Sequence, residues 1–332
     1  MSVNVPNILY LSGMKFSTFY DKYNDEGSCK EKLRQIREQE GISCKHCKGK
    51  EHYWKSDKWQ WQCKGCGFRT TLRSGTVMES SKLPYRYWFA AMHFLTVNKK
   101  SFSAKSIQEE LGHKRYEPIW AMLHKLRVVM GVRDTKYQLT DWIELDEGFF
   151  EKVNDKQDDT DDKGLAESKR GRGSQKQAKV LVAVESNPKT ADDKEKKHNK
   201  GRKVGHLKMI VMDDLTKKGI NYEVIKGVDK DTVVETDGYR GYGGLKDLVK
   251  EHKVTVMVNP KEASSVFPWV HIAISNAKRL LLGIFHRIND KYLQNYLNEY
   301  CYRFNRRHMK EAIFDRLLIA AVSYTSYGYA KG

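Results

Sequence analysis

The sequence lacks an apolar run long enough to span a membrane, and it has no recognisable secretory signal. Met1–Tyr20 has no basic start, and its apolar stretch around Ile8–Leu11 is too short for a signal core. Acidic residues are scarce relative to basic ones: 42 Asp and Glu stand against 60 Lys and Arg, a formal charge of +18. We therefore expect a cytoplasmic protein without a membrane partner. A polyanion such as nucleic acid is the expected partner, because phosphate neutralisation releases counterions.

Cysteine is rare as well, and disulfides are not expected in the cytosol. Four of the six cysteines form two pairs, Cys44-Lys45-His46-Cys47 and Cys63-Lys64-Gly65-Cys66, with fifteen residues between the pairs. Two such pairs at this distance predict one tetrahedral site of four thiolates for a structural zinc ion. The segment between the pairs alternates aromatic and polar residues, which predicts two short strands and hence a zinc ribbon over residues 41–73. A redox function would require one pair in a thioredoxin-like βαβ context, which this segment lacks.

Helical patterns flank the ribbon, in an N-terminal segment of residues 1–40 and in a region of residues 74–138. The predicted helices are Ser28–Gln39, with Ser28 as N-cap, then Leu83 to about Thr96, Ser103–Leu111, and about Glu117 to Met130. The last two helices are joined by a glycine-containing turn, which gives a helix-turn-helix-like outline. This outline favours DNA contact through Lys125 and Arg127, although an amphipathic surface helix has the same pattern.

Residues 139–328 have a different pattern, in which strands are followed by helices. The predicted strands are Trp142–Asp146, Val180–Glu185, His206–Met212, Thr232–Thr236 and Val254–Val258. The predicted terminal helices are Val270–Ile288, Asp290–Arg306 and Met309–Tyr324. This order indicates an α/β domain. Two charged insertions, 155–178 and 186–204, interrupt the strands; Arg170 and Arg172 in the first either bind phosphates or lie at a solvated hairpin tip.

Two aspartates in this domain are candidate metal ligands. Asp146 lies within an apolar strand, where a bare carboxylate is costly unless it is paired or binds a metal. Asp237 ends another apolar strand, and carboxylates at strand ends of an open α/β sheet lie in the crevice where ligands bind. Phosphoryl transfer uses oxygen ligands of this kind to hold two Mg²⁺ ions. Either aspartate alone would be assigned to capping a turn, so the prediction depends on the pair.

A series of motifs accompanies these aspartates along the chain. In order after the ribbon, the motifs are Ser74–Met78, Leu145-Asp146-Glu147, Lys169–Gly173, Thr236-Asp237-Gly238-Tyr239, Ile274–Arg279 and Tyr302–Arg307. With these motifs in this order, nearly the whole chain resembles the zinc-ribbon insertion-sequence transposases of bacteria.

The resemblance implies a DDE-type DNA transposase with a ribonuclease-H-like catalytic domain that uses Mg²⁺ or Mn²⁺. It implies that Asp146 and Asp237 are the first two ligands of two catalytic ions. Double-stranded DNA, both the element ends and the target, is the implied partner. A homodimer or higher assembly is expected because two ends must be brought together, and the protein would be associated with the bacterial nucleoid. The alternative is a domesticated, non-catalytic DNA-binding regulator, which would bind the ends but never cut them.

The third ligand departs from the commoner family pattern, which has a glutamate early in the helix after the last strand. Between Glu262 and Asp290 the sequence has no Asp or Glu. The segment resembles a branch of the family in which asparagine takes that place, and Asn276 is the corresponding residue. Helical geometry allows either Asn276 or His271 to reach a crevice, because they flank the buried stripe on opposite sides. Ligand chemistry favours Asn276, since Mg²⁺ prefers oxygen.

Basic and aromatic residues near these motifs are candidate DNA contacts. Tyr239 and Arg240 could stack on a base and hold a phosphate. Lys278, Arg279 and Arg306 suit a groove that follows the DNA backbone. For each residue taken singly, a solvated surface position is an equal alternative.

Overall fold

The computed structural model describes residues 13–97, 101–151, 177–189, 201–256, 263–285 and 288–324. These residues divide into two compact units. The N-terminal unit comprises the described residues of 13–133 together with 306–324. The second unit, called the catalytic unit because it contains most of the expected catalytic domain, comprises the described residues of 134–305. This division differs from the expected catalytic domain of residues 139–328, because the last described helix belongs to the N-terminal unit. Within the described ranges, no helix combines the length and apolar character needed to cross a membrane.

Helices and strands are numbered along the chain. The helices are α1 (Phe16–Tyr23), α2 (Glu26–Glu40), α3 (Tyr85–Val97), α4 (Ala104–Glu110), α5 (Tyr116–Asp134), α6 (Lys217–Gly227), α7 (Ala263–Val266), α8 (Pro268–Leu282), α9 (Asp290–Asn305) and α10 (Ala312–Ser323). The strands are β1 (His52–Lys55), β2 (Gln60–Cys63), β3 (Arg69–Thr71), β4 (Trp142–Glu151), β5 (Gln177–Pro188), β6 (Arg202–Met212), β7 (Val233–Thr236) and β8 (Glu251–Val254).

Side-chain caps determine where two helices of the N-terminal unit begin. Asp25 caps α2, because its Oδ1 accepts the N–H of Ser28 at 2.7 Å and so satisfies a backbone donor of the first turn. The predicted cap, Ser28, therefore lies inside a helix that begins at Glu26. Ser103 caps α4, where its Oγ accepts the N–H of Ser106 at 3.0 Å. Ser103 is thus the residue before the helix rather than its first residue.

An aromatic core holds the C-terminal helix α10 in the N-terminal unit. Phe314 of α10 is fully buried. Its ring centroid lies 5.8 Å from that of Phe19, 5.5 Å from that of Tyr23 and 6.0 Å from that of Phe89. Ring pairs at these separations stabilise a core beyond the area they bury. Because these partners lie on α1 and α3, α10 completes the N-terminal unit. The expected boundary at residue 328 had instead placed α10 in the catalytic domain.

The cysteine region forms an antiparallel sheet in the order β1-β2-β3. Two of these strands were predicted, and the third follows the second cysteine pair. Basic side chains of α2 lie over tryptophan rings of the sheet, with Lys30 5.6 Å from Trp59, Arg34 4.7 Å from Trp54 and Arg37 5.3 Å from Trp61. Residues three and four apart lie on one side of a helix. Cation–π contacts therefore attach the sheet to one side of α2.

The catalytic unit contains a five-stranded sheet in the order β6-β5-β4-β7-β8. The three long strands β4, β5 and β6 pair antiparallel, whereas β7 and β8 add in parallel on the other side of β4. Each predicted strand has a counterpart, although β8 shares only Val254 with the predicted Val254–Val258. Strands β5 and β6 extend into the charged stretches 155–178 and 186–204 that were predicted as insertions. The rest of these two stretches, including Arg170 and Arg172, lies outside the described residues.

Helices pack on the sheet of the catalytic unit. Ile220 and Val224 of α6 share a buried cluster with Ile143 and Leu145 of β4. Helix α8 lies against β4 and β5, and α9 lies against β6. Alternate residues of a strand point to opposite faces, so Glu144 and Asp146 of β4 face away from α6. Helix α8 ends at Leu282 rather than at the predicted Ile288.

Candidate active site and cysteine cluster

One aspartate lies in β4, and the other directly follows β7, the parallel strand beside it. In the pairing of β4 with β7, Glu144 is opposite Glu235. Asp146 lies two residues further along β4, and Asp237 lies two residues further along the chain, directly after the last residue of β7. Neighbouring strands are about 4.8 Å apart, and residues two apart point to the same face. The two aspartates therefore lie at the same end of neighbouring strands, at the level where β7 ends.

Backbone N–H groups contact the two carboxylates, and the buried Tyr242 lies within electrostatic range of them. Asp146 Oδ1 accepts the N–H of Glu147 at 2.8 Å, and Asp237 Oδ1 accepts the N–H of Tyr239 at 2.9 Å. Burial raises the pKa of Tyr242 well above its ordinary value, and the negative charges of Glu147, Asp146 and Asp237 raise it further. The phenol therefore stays neutral beside the carboxylates, and the site keeps a negative charge that suits a cation.

A histidine of α8 lies next to Asp146. The distance from His271 Nδ1 to Asp146 Oδ2 is 3.8 Å, which is too long for a hydrogen bond. The other ring nitrogen, Nε2, is buried and has no hydrogen-bond partner among the described residues. Burial also lowers the pKa of His271, which favours the neutral imidazole. A neutral imidazole is the form of histidine that binds a metal ion.

Asn276 lies on the same helix as His271 but on a different side. It follows His271 by five positions, which corresponds to about 140° around an α-helix. Because α8 is continuous from Pro268 to Leu282, the side of α8 that presents His271 to Asp146 is not the side that carries Asn276. Lys278 follows His271 by seven positions and so returns to the side of His271. Burial lowers the pKa of Lys278.

The expected DNA contacts of the catalytic unit differ in exposure. Arg240 and Arg279 are exposed, and Lys278 is half-buried. Tyr239 is also half-buried, and its hydroxyl donates to the carbonyl oxygen of Leu215 at 3.0 Å. The ring of Tyr239 is therefore held by the protein, whereas the two arginines are accessible to a phosphate.

The expected DNA contacts of the N-terminal unit are largely buried. Arg127 is 1 % exposed and Arg306 is 7 % exposed, so neither guanidinium is accessible to a phosphate. Lys125 is half-buried, and its Nζ donates to the carbonyl oxygen of Glu79 at 3.3 Å. His124 on the same helix is also buried, which lowers its pKa to about 3. These side chains of α5 pack inside the unit instead of forming a basic surface.

A buried carboxylate close to the aspartate pair was not predicted from the sequence. Glu144 has no exposed surface, and burial raises its pKa. The sequence contains one signal for it: Glu144 and Asp146 alternate in the same apolar strand and so point to the same face. A carboxylate buried there requires fixed hydrogen-bond partners, which the strand pattern does not identify.

The four cysteines predicted to bind zinc converge. Their Sγ atoms all lie within 4.8 Å of one another, with 3.6 Å between Cys44 and Cys66 and 3.4 Å between Cys47 and Cys63. Zn–S bonds of about 2.3 Å place the sulfur atoms of a tetrahedral site about 3.8 Å apart, so the four thiols fit a zinc ion. The N–H of Cys47 contributes most to lowering the pKa of Cys44 to about 6, which favours a metal-binding thiolate.

Residues 138–305 match the family model of the ISXO2-like transposase domain. The match covers half of the 332 residues, coincides with the catalytic unit, and includes Asp146, Asp237 and His271. The chain therefore belongs to the ISXO2-like transposase family. The prediction of a DDE-type transposase is confirmed at the level of the family.

One solved structure similar to the chain is a pre-cleavage Mos1 transpososome. The sequence identity is 12 %, the alignment covers 75 % of this chain and 82 % of that chain, and the TM-score is 0.24. At this TM-score the similarity supports no conclusion about fold or function. No curated protein sequence matches the chain.

Proposed function

We propose that the chain is the transposase of a bacterial insertion sequence, which binds the terminal inverted repeats of its element and cuts and joins DNA strands. The observation that carries this proposal is the juxtaposition of Asp146, Asp237 and His271 within the transposase-family region. We further propose that the catalytic unit is ribonuclease-H-like. The sheet supports this assignment, because β4, the first strand of the unit, is central, with the antiparallel β5 and then β6 on one side and the parallel β7 and β8 on the other.

We assign the third ligand position to His271 in preference to Asn276. The 3.8 Å separation from Asp146 and the buried, unpartnered Nε2 support His271 among the described residues. The helical angle of about 140° between the two residues argues against Asn276. An imidazole suits a transition-metal ion better than Mg²⁺, which prefers oxygen ligands. We therefore expect Mn²⁺ to support the reaction better than Mg²⁺.

The proposed chemistry is in-line phosphoryl transfer. Bound divalent ions would activate the attacking oxygen and stabilise the leaving oxygen. Water first attacks a phosphodiester at the element end, and the bond to the 3′-oxygen breaks to leave a free 3′-hydroxyl. That hydroxyl then attacks a phosphodiester of the target, where a new P–O bond forms as the target 3′-oxygen leaves. Asp146, Asp237 and His271 would hold the ions in one arrangement through both steps.

The zinc ribbon is the proposed first DNA contact, with its four cysteines holding one structural Zn²⁺. Its exposed surface is strongly basic, with Lys45, Lys48, Lys50, Lys55, Lys58, Lys64 and Arg69. Only Glu51 and Asp57 oppose them within residues 41–73. A surface of this kind binds phosphates and releases counterions. The helix-turn-helix-like outline of α4 and α5 remains a second candidate, but the buried basic residues of α5 make the ribbon the better one.

DNA contacts are also proposed in the catalytic unit. Arg240 and Arg279, which are exposed, and Lys278, which shares a side of α8 with His271, would hold the DNA backbone near the reacting phosphate. Because two element ends must meet, we propose a homodimer or higher assembly on DNA, located at the bacterial nucleoid.

Strand cleavage and strand transfer on a labelled element-end duplex test this proposal. Wild-type protein is compared in Mn²⁺ and in Mg²⁺ with the variants Asp146→Ala, Asp237→Ala, His271→Ala and Asn276→Ala. Asp213→Ala, which removes an exposed carboxylate after β6, is the matched control. We expect both products to be lost in the first three variants and retained in Asn276→Ala and in the control.

Two other outcomes have clear meanings. If Asn276→Ala is inactive and His271→Ala is active, Asn276 is the third ligand after all. If the wild type binds the element ends but makes no cut in either metal, the chain is a DNA-binding regulator.

A further inference from the structure

The carboxylate of Glu144 connects β4 to the beginning of α8. Its Oε1 accepts the hydroxyl of Ser186 at 2.5 Å. Its Oε2 accepts the backbone N–H groups of both Trp269 and Val270, each at 2.8 Å. Glu144 has no exposed surface, so all three hydrogen bonds are shielded from water. A buried carboxylate with three donors is tightly held.

Glu144 takes the place of a helix cap at α8. The first N–H groups of a helix lack partners within the helix and are ordinarily satisfied by the residue before it. Phe267 occupies that position and provides no side-chain hydrogen bond. Glu144 supplies the acceptor from a distant part of the sequence, and its negative charge also suits the positive end of the helix dipole.

The two ends of this connection are close to the proposed metal ligands. Along β4, Glu144 precedes Asp146 by two residues and points to the same face. Along α8, Val270 directly precedes His271. Any movement of the first turn of α8 relative to β4 would therefore change the separation of His271 from Asp146, which is 3.8 Å.

Neighbouring contacts hold Trp269 in the same place. The indole Nε1 of Trp269 donates to the carbonyl oxygen of Arg202 at 3.1 Å. The guanidinium of Arg202 binds Glu235 through two hydrogen bonds of 2.5 and 3.1 Å. Glu235 lies opposite Glu144 in the pairing of β7 with β4. The start of α8 is thus fixed to strands on both sides of β5.

We propose that Glu144 is a positioning residue of the catalytic unit: it sets His271 against Asp146 by fixing the first turn of α8 to β4. Glu144 acts through hydrogen bonds alone and contacts neither DNA nor metal. The role of His271 in this inference rests on the function proposed above. The position of α8 on β4 does not depend on that function.

Two variants separate the hydrogen bonds of Glu144 from its volume. Glu144→Met fills a similar space but accepts no strong hydrogen bond, whereas Glu144→Gln retains an oxygen for the two N–H groups. Glu185→Met is the matched control. Glu185 is also buried and accepts the N–H groups of Thr140 and His206 at 3.0 and 2.6 Å, but none of its hydrogen bonds involves α8.

The first measurement is the crystal structure of each variant without metal. We expect the separation of His271 Nδ1 from Asp146 Oδ2 to increase in Glu144→Met and to stay near 3.8 Å in Glu144→Gln and in the control. The second measurement is the affinity for Mn²⁺ alone by calorimetry. Loss of a group that orients a metal ligand lowers affinity about 10–100-fold, which we expect for Glu144→Met only.

A double variant tests whether Glu144 acts through His271. In the His271→Ala background, we expect Glu144→Met to have no further effect on Mn²⁺ affinity, because coupled residues are not additive. The inference is overturned if Glu144→Met keeps the wild-type separation and affinity, or if it weakens binding equally with and without His271. If the wild type binds no Mn²⁺, the proposed function fails, and the crystal structures still decide whether Glu144 positions His271.

Discussion

Replacing Phe314 with alanine should destabilise the N-terminal unit selectively. Phe314 is fully buried among Phe19, Tyr23 and Phe89, with ring centroids 5.5–6.0 Å away. Truncating a buried phenylalanine to alanine costs about 3–5 kcal/mol, which combines lost burial with the cavity left behind. A domain of this size is stable by about 5–15 kcal/mol, so the loss would be a fifth or more of the total.

Urea denaturation followed by tryptophan fluorescence measures this effect, because the buried Trp88 lies on α3 in the same unit. Phe16→Ala is the matched control. Phe16 is 63 % exposed, and its truncation should cost less than about 1 kcal/mol. The unfolding of the catalytic unit, followed by Mn²⁺ affinity at each urea concentration, should be the same in both variants.

The reasoning would be refuted if Phe314→Ala and Phe16→Ala lowered the unfolding midpoint by the same amount. Helix α10 would then contribute no more to the stability of the N-terminal unit than an exposed surface helix does. Residues 306–324 would not belong to that unit. A loss of Mn²⁺ affinity in Phe314→Ala alone would also contradict the division, because it would place α10 in the catalytic unit.

Three further predictions concern zinc, pH and a buried asparagine. Chelating zinc should unfold the ribbon and abolish binding to element-end DNA in a mobility-shift assay, while Mn²⁺ affinity is unchanged. Burial lowers the pKa of His93 to about 4. As the pH falls from about 6.5 to 4, this histidine therefore gains a proton only in the unfolded state, which lowers the stability of the folded protein. Thermal melts should show the melting temperature falling over this pH range, and falling less steeply in His93→Gln. Asn305→Ala should destabilise the catalytic unit by about 1–3 kcal/mol in urea, because the N–H of Leu207 loses its acceptor, whereas the exposed Lys291→Ala should have little effect.

Local sequence patterns were sufficient to predict that the four cysteines converge and that Asp146 and Asp237 lie on neighbouring strands, whereas the role of the two aspartates as metal ligands stays a prediction. The spacing of the cysteines fixes how closely two short turns can approach, and the alternation in β4 fixes which residues share a face. The proposed third ligand depends on more than local pattern, because choosing between His271 and Asn276 requires knowing which side of α8 meets β4. That side is set by contacts between residues far apart in the sequence, such as Glu144 with Trp269 and Val270.

The same limit applies to α5 and α10. An amphipathic pattern identifies a helix but not the number of neighbours that cover it. The basic residues of α5 were expected at a DNA surface, but Arg127 is 1 % exposed because the helix is covered on several sides. The apolar residues of α10 were assigned to the domain that precedes them in sequence, whereas Phe314 packs on helices near the N terminus.

A histidine as third ligand changes the charge of the proposed site. Two carboxylates and a neutral imidazole carry one negative charge fewer than three carboxylates would, so a loaded site keeps one more positive charge. The raised pKa of Tyr242 prevents the phenol from adding a negative charge near Asp146 and Asp237. Such a site should bind its metal ions less tightly in the absence of DNA, and more tightly when a phosphodiester supplies the missing negative charge. Metal binding and DNA binding should therefore strengthen each other in this protein, by the same factor in both directions.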